Sequence, residues 1–174
     1  MPITLVLGGA RSGKSCRAEA LAEALGLPVI YVATAPRIKG DSEWSERIEH
    51  HQARRSSEWE TIEEELALVE VMREKAAAGT TLFVDCLTLW LSNLMFHGRD
   101  IDQEVGKLCA LLPDLPGHVI LVSNEVGMGL VPESPEGRAF RDAQGRLNQA
   151  VAAVVESVEF VAAGLPIRLK GDGG

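Results

Sequence analysis

The feature that most limits the fold is a glycine-rich string that directly follows a short apolar run. The run is Ile3–Leu7, and the string is GGARSGKS at positions 8–15, which fits the pattern G-x-x-x-x-G-K-[ST]. Its glycines let the chain turn tightly, so successive backbone N–H groups converge on phosphate oxygens. A helix is predicted to follow over Lys14–Leu25, closed by Gly26. The string therefore predicts a phosphate-binding loop (P-loop) between the first strand and the first helix of an α/β fold.

Within the P-loop, the lysine and the serine have separate predicted roles. Lys14 brings a cation to the β- and γ-phosphates, and the Ser15 hydroxyl is a predicted ligand of Mg²⁺. The N-terminus of the following helix favours the same anion. Cys16 lies in the first turn, where a thiolate would be favoured, although simple packing is the alternative. Nucleotide contacts are predicted at Gly9, Ala10, Arg11, Ser12, Gly13, Lys14, Ser15 and Cys16.

Short β-rich runs alternate with helix-like segments along the rest of the chain, a pattern typical of a mainly parallel sheet. Further strands are predicted over Val29–Ala33, Thr81–Asp85, His118–Ser123, Val158–Ala162 and Ile167–Lys170. Further helices are predicted over Asp41–Ser56, Glu63–Ala78, Leu87–Phe96, Asp102–Leu112 and Glu136–Ser157. The last two strands are expected to form a hairpin around Gly164–Pro166. We therefore predict a single recombinase-like P-loop NTPase domain over residues 1–174, with helices on both faces of the sheet.

Composition and charge narrow the choice of partner and compartment. Hydrophobic residues make up 46% and charged residues 24% of 174 residues, typical of a soluble globular protein. The net charge of −8 argues against a nucleic-acid partner, and the apolar stretch Leu82–Phe96 is interrupted by polar residues, so no membrane span is expected. The cysteines, Cys16, Cys86 and Cys109, are odd in number and form no CxxC pair. A reducing, cytoplasmic setting is expected, with a small molecule as the partner.

A second carboxylate is expected close to the P-loop. The run Leu82–Asp85 is an apolar strand that ends in an acid, the usual form of a Walker B element, so Asp85 is a predicted metal-site residue. The alternative is that Asp85 caps the helix that begins near Leu87. The order of the two strands in the chain favours the metal-linked role.

Two motifs that the sequence lacks exclude two large classes of P-loop protein. The chain contains no Asn-Lys pair, as an N-K-x-D GTPase requires, and no S-G-G-Q-like signature; small kinases and recombinase-like ATPases remain. On a helix, His51 lies near Arg47 and Arg55, a setting suited to meeting an anion. A neutral imidazole can attack phosphorus, but the histidines of a solvated helix can also simply partner Glu46 or Glu49. Helical spacing leaves both interpretations open.

Four motifs in sequence order carry a family resemblance. They are the P-loop at 8–15, Arg47-Ile48-x-x-His51 with the later Arg55 and Trp59, VSNEVGMGLVP at 122–132, and FRDxxGRLNQ at 140–149. Together they resemble the bifunctional adenosylcobinamide kinase/adenosylcobinamide-phosphate guanylyltransferase family over essentially the whole chain, and NEVGMG is the most specific part. The resemblance implies that a nucleoside triphosphate phosphorylates adenosylcobinamide. GMP then passes from GTP to that phosphate through a guanylylated histidine.

The resemblance also implies roles for particular residues. It makes His51, rather than its neighbour His50, the guanylylated residue, with Lys14 as the second catalytic residue. Further nucleotide contacts are implied at Ala35, Pro36, Arg37, Gln52, Ala53, Arg54, Arg55, Glu63 and Asp85. The implied cofactor is Mg²⁺, with GTP and ATP as substrates, and the implied assembly is a homo-oligomer, with a trimer as the expected form.

Several residues keep two interpretations. Asn124 and Glu125 fit a corrinoid or active-site role, and they also fit ordinary turn chemistry. The polar residues Arg141, Arg146 and Asn148 can equally hold a helix in place. Core positions are expected for Trp44, Trp59, Trp90 and Met128. Two rival functions remain, another P-loop small-molecule kinase and a non-catalytic nucleotide-dependent assembly module.

Overall fold

A computed structural model describes residues 3–36 and 58–171 of the chain. The strands are β1 (Ile3–Gly8), β2 (Val29–Ala33), β3 (Glu60–Glu63), β4 (Thr81–Asp85), β5 (His118–Asn124), β6 (Ser157–Ala162) and β7 (Leu165–Lys170). The helices are α1 (Lys14–Leu25), α2 (Leu68–Lys75), α3 (Leu87–Phe96), α4 (Ile101–Leu111) and α5 (Pro135–Val154). A short 3₁₀ turn, Leu112–Asp114, follows α4. The predicted helix Asp41–Ser56 lies outside the described residues.

All seven strands form one sheet in the order β3-β2-β4-β5-β1-β6-β7. Every adjacent pair is parallel except β6 and β7, which form the antiparallel hairpin expected at the end of the chain. The hairpin turn falls at Ala163–Gly164, where both residues have positive φ. Because β5 separates β1 from β4, the P-loop and the Walker B-like carboxylate sit two strands apart. The predicted mainly parallel α/β fold is confirmed.

Apolar cores cover both faces of the sheet, because the central strands are apolar at almost every position. On one face, strand residues such as Leu5 and Leu121 pack with α2, α3, α4 and α5 around the fully buried Trp90. On the other face, Val6, Phe83 and Val122 pack with Ala18 and Ala22 of α1. The expected core position of Trp90 is confirmed, and we call this second side the α1 face.

Some sequence predictions were wrong in detail. Strand β3 was not predicted, and Glu63, expected to begin a helix, is instead its last residue. Helix α2 begins only at Leu68, because the Glu64 carboxylate accepts hydrogen bonds from the backbone N–H groups of Leu66 and Ala67, both at 2.8 Å, and turns the chain first. Met128, expected in the core, is 80% exposed.

Candidate active site

The P-loop joins β1 to α1 in a turn that tolerates no side chain at its first glycine. A Cβ on Gly8 would lie 2.4 Å from Ser12 Oγ and 2.7 Å from a backbone oxygen of β6. Gly13 has φ 94°, and its Cβ would lie 3.0 Å from the Cα of Gly164 in the β6–β7 turn. The N–H of Gly164 also donates to Ser12 O at 2.8 Å. The C-terminal hairpin therefore supports the loop from behind.

Lys14 is held over this loop in a partly buried position. Its ammonium donates to Gly9 O at 3.2 Å, so the cation lies against the backbone predicted to bind phosphate. Burial lowers the pKa of Lys14 from its usual value, while Cys86 and Asp85 act in the opposite direction. Because burial raises the pKa of Cys86 to about 12, the thiol carries no charge at neutral pH.

Asp85 ends β4 and is fixed by an aromatic partner. The Tyr31 hydroxyl donates to Asp85 Oδ2 at 2.5 Å, and the Tyr31 ring stacks on Phe83 with their centroids 5.1 Å apart. Tyr31 is 1% exposed, so the ring is rigidly packed. Neither Tyr31 nor this contact was predicted from the sequence, because the tyrosine lies on a different strand from the acid. Within residues 3–36 and 58–171, the hydrogen bond from Tyr31 engages Oδ2 alone, so Oδ1 is the oxygen that could meet a ligand.

A buried polar cluster joins the ends of β2 and β4. The Thr34 hydroxyl donates to Cys86 O at 2.7 Å and accepts from Cys86 N at 2.9 Å. Asn93 of α3 donates to the backbone carbonyls of Thr34 and Glu65, at 2.8 and 3.0 Å. The chain is therefore anchored on both sides of residues 37–57.

The end of β5 carries a second polar cluster. The Ser123 hydroxyl donates to Asn148 Oδ1 at 2.7 Å, and Gln144 Nε2 donates to both of these side chains, at 3.0 Å each. Asn148 Nδ2 in turn donates to Asn124 O at 3.0 Å. Asn148 therefore fixes α5 to the carboxyl end of β5, which bears out the structural interpretation of that residue.

Beyond β5 the chain turns around the side chain of Glu125. Its carboxylate accepts from Gly127 N at 2.6 Å and from Met128 N at 3.1 Å, and Arg141 donates to Gly127 O at 2.8 Å. Glu125 N also donates to Gly8 O at 3.0 Å. The turn chemistry expected for this motif is thus present, and it is joined directly to the P-loop.

The structure brings together part of the predicted site. The P-loop residues, Asp85, Ala35 and Pro36 lie at the carboxyl ends of the parallel strands β1, β4 and β2, at the edge where ligands bind in such sheets. Glu63 lies at the same edge, in register with Ala33 of β2. The other predicted residues lie outside the described part of the chain, namely Arg37, His51, Gln52, Ala53, Arg54 and Arg55.

Comparison with known proteins shows which family the chain matches. Residues 4–169 match the family model described as cobinamide kinase / cobinamide phosphate guanyltransferase. The chain belongs to this family. Bifunctional adenosylcobalamin biosynthesis protein CobP of Pseudomonas aeruginosa is 51% identical over 170 residues, covering 97% of both chains. The family protein CobU of Escherichia coli K12 is 39% identical over 181 residues, covering 95% of this chain and 98% of the relative.

Solved structures with low sequence identity share the fold of this family member. A protein from Pyrococcus horikoshii OT3, studied as PH0250, has a TM-score of 0.57 at 12% identity, covering 99% of this chain and 87% of that one. An ATPase of a bacterial type III secretion system has a TM-score of 0.54 at 10% identity, and the match covers 96% of this chain and 56% of the ATPase chain. These similarities support the P-loop NTPase fold alone. Among the residues described, no helix has the length and apolar character needed to cross a bilayer.

Proposed function

We propose that this protein carries out both reactions of its family. It phosphorylates adenosylcobinamide with a nucleoside triphosphate, and it then transfers GMP from GTP to adenosylcobinamide phosphate. The observation that carries the proposal is the family match over residues 4–169, on a chain whose P-loop, Lys14 and Asp85 meet at one sheet edge. The domain responsible is the whole chain, residues 1–174.

In the kinase step, the P-loop backbone holds the triphosphate and Lys14 contacts its terminal phosphates. The substrate hydroxyl attacks the γ-phosphorus, the bond to the β–γ bridging oxygen breaks, and the hydroxyl proton leaves to solvent or a nearby base. Positioning and charge stabilisation supply most of the rate in such transfers. The burial of Lys14 strengthens its interaction with the phosphate charge.

Mg²⁺ is the proposed cofactor, because the donors at this edge are hard oxygens. Ser15 and Asp85 offer a hydroxyl and a carboxylate, and Mg²⁺ in nucleotide sites takes few protein ligands beside phosphate and water. This small donor set agrees with the lack of any cluster of three or more His, Cys, Asp or Glu metal ligands within residues 3–36 and 58–171. The ion would neutralise phosphate charge, while Tyr31 fixes the orientation of Asp85.

In the second step, we assign the nucleophile to His51. An imidazole nitrogen attacks the α-phosphorus of GTP, the bond to the bridging oxygen breaks, and pyrophosphate leaves. A phosphate oxygen of adenosylcobinamide phosphate then attacks the same phosphorus, and the P–N bond breaks to release adenosylcobinamide-GDP and free histidine. The motif Arg47-Ile48-x-x-His51, within the family match over residues 4–169, supports this assignment.

The proposed partners are GTP, ATP and adenosylcobinamide, in the cytoplasm. A homo-oligomer, with a trimer as the expected form, is part of the same proposal. Strand β7 supports self-association, because Leu165, Ile167 and Leu169 are exposed at alternate positions of a sheet edge. Light scattering on the purified protein tests this directly, and a monomer at micromolar concentration would contradict it.

The test of the guanylyl-transfer proposal is covalent labelling. The protein is incubated with Mg²⁺ and GTP labelled at the α-phosphate, followed by denaturation and assay for an acid-labile, alkali-stable adduct. Wild type and His50→Ala should both carry label, and His51→Ala should carry none. His50→Ala is the matched control, because it removes an adjacent imidazole and leaves the proposed nucleophile.

Other outcomes separate the rival functions. Label that survives His51→Ala and disappears in His50→Ala would move the nucleophile by one residue. GTP binding without label, together with phosphorylation of adenosylcobinamide, would leave a small-molecule kinase. Binding with turnover of neither corrinoid would leave a nucleotide-dependent assembly module.

A further inference from the structure

Strand β5, which lies between the P-loop strand β1 and the Asp85 strand β4, ends in Asn124, whose side chain has no role in the site described above. In the parallel registers, Asn124 of β5 pairs with Gly8 of β1, while Val122 pairs with Asp85 of β4. Neighbouring strands lie about 4.8 Å apart. The Asn124 Cα is therefore one strand spacing from the first residue of the P-loop, on the side that faces Asp85.

The pleat of the strands decides which face the Asn124 side chain takes. Side chains alternate along a strand. Val122 packs on the α1 face, and Ser123 points the other way, toward Gln144 and Asn148. Asn124 therefore returns to the α1 face. Asp85 shares this face, because it lies two residues after Phe83 and accepts its hydrogen bond from Tyr31.

Hydrogen bonds fix the backbone of Asn124 and of the next residue, but they do not involve the Asn124 side chain. Asn124 N donates to Thr88 Oγ1 at 2.8 Å, Asn148 Nδ2 donates to Asn124 O at 3.0 Å, and the next N–H, of Glu125, donates to Gly8 O at 3.0 Å. Across the part of the chain that the structure describes, the Asn124 carboxamide makes no hydrogen bond. Two amide N–H donors thus extend from a fixed backbone position beside the phosphate cradle, and the local structure makes no use of them.

We propose that Asn124 is a catalytic residue whose side-chain amide donates a hydrogen bond to the terminal phosphoryl group of a nucleoside triphosphate bound in the P-loop. A phosphoryl group in transfer carries its charge on equatorial oxygens. A neutral donor whose backbone is fixed beside the phosphate can stabilise that charge as it develops. In this arrangement Lys14 contacts the phosphate from the loop, and Asn124 contacts it from the adjacent strand. The kinase part of this inference rests on the function proposed above.

The variants are Asn124→Ala and Asn124→Asp, with Gln103→Ala on the exposed surface of α4 as the amide-loss control. Asn124→Asp keeps the side-chain shape but replaces the donors with a carboxylate, so it serves if the alanine variant folds poorly. Thermal unfolding monitors the fold of each. Two readouts are measured, kcat and KM for phosphorylation of adenosylcobinamide, and the affinity ratio of a non-hydrolysable triphosphate to the matching diphosphate.

Asn124→Ala is expected to lower kcat by about 10²-fold, in line with the loss of one oxyanion donor, with KM for the corrinoid nearly unchanged. The preference for triphosphate over diphosphate should fall about tenfold, and further in Asn124→Asp because like charges repel. Gln103→Ala should change neither readout. An unchanged affinity ratio, or a kcat within threefold of wild type, overturns the assignment. If wild type binds nucleotide but does not phosphorylate adenosylcobinamide, the proposed function fails, and the affinity ratio still tests Asn124.

Discussion

The ion pair between Arg17 of α1 and Glu159 of β6 should hold the P-loop helix to the sheet. Arg17 Nε and Nη2 donate to the two carboxylate oxygens at 2.7 and 2.8 Å. The Glu159 side chain is only 5% exposed, and that of Arg17 is 31% exposed. Replacing Arg17 with methionine keeps the side-chain length and removes the charge, so the carboxylate is left buried without its main partner.

The expected loss in the free energy of unfolding follows from leaving the Glu159 carboxylate buried without its charged partner. Removing one member of a buried ion pair costs about 3–5 kcal/mol. We expect a smaller loss, about 2–3 kcal/mol, because Arg17 is partly hydrated and Arg168 also acts on Glu159. For a chain of this size, 1 kcal/mol shifts Tm by about 2–4 °C, so Arg17→Met should lower Tm by roughly 5–10 °C.

The loss should also depend on pH. The hydrogen bond from Arg17 lowers the pKa of Glu159 below its ordinary 4.5. The pair therefore stabilises the fold fully above that ordinary value, and its contribution disappears as pH falls toward the lowered pKa. Urea unfolding followed by circular dichroism should show a large difference between wild type and Arg17→Met at pH 7, and a smaller one near pH 4.

The double variant Arg17→Met/Glu159→Gln is the control. It replaces the isolated carboxylate with a neutral amide, so it should recover about 1–2 kcal/mol of the loss. Two results would contradict this explanation: a Tm decrease under 2 °C in Arg17→Met, or an equal loss with and without Glu159→Gln. Either would show that an unpaired buried carboxylate is not the cause of the stability loss.

Two further predictions concern the P-loop and the thiols. Gly8→Ala should lose about 2 kcal/mol of stability and weaken nucleotide binding at least tenfold by calorimetry, because its Cβ would lie 2.4 Å from Ser12 Oγ. Gly9→Ala is the stability control, because the space around its Cβ is open. Equal Tm values for the two variants would refute the packing argument. Burial and a pKa of about 12 should protect Cys86 from a thiol reagent at pH 8, while the exposed Cys16 reacts. Peptide mapping measures the labelling rate of each cysteine, and equal rates would contradict the prediction.

The sequence predicted local features well, because the P-loop signal is confined to one strand, one turn and one helix. Helix α1 and strands β2 and β4 have the predicted bounds, and Gly26 closes α1 with φ 63°. Strand β3 was missed because it is a four-residue edge strand of mostly exposed polar residues. Its glutamates favour a helix by propensity, and pairing with β2 overrides that preference.

Long-range side-chain partners could not be predicted in the same way. The Ser123–Asn148 and Tyr31–Asp85 hydrogen bonds join residues 25 and 54 positions apart, and neither spacing has a signature in helical or strand periodicity. The motif at 122–132 indicated a site without giving the role of each residue. Strand register and pleat separate Ser123, which bonds to α5, from Asn124, whose position falls on the α1 face.

The central position of β1 has a consequence for synthesis of the chain. Strand β1 leaves the ribosome before β5 and β6, the two strands between which it lies in the sheet, and the loop that follows it contacts Gly164. At typical elongation rates, residues near 120 emerge on the order of ten seconds after β1. During that interval the apolar strand has neither of its neighbours, which makes nascent chains a natural substrate for chaperones. Nucleotide can therefore stabilise the finished protein, but it cannot guide the early stages of folding.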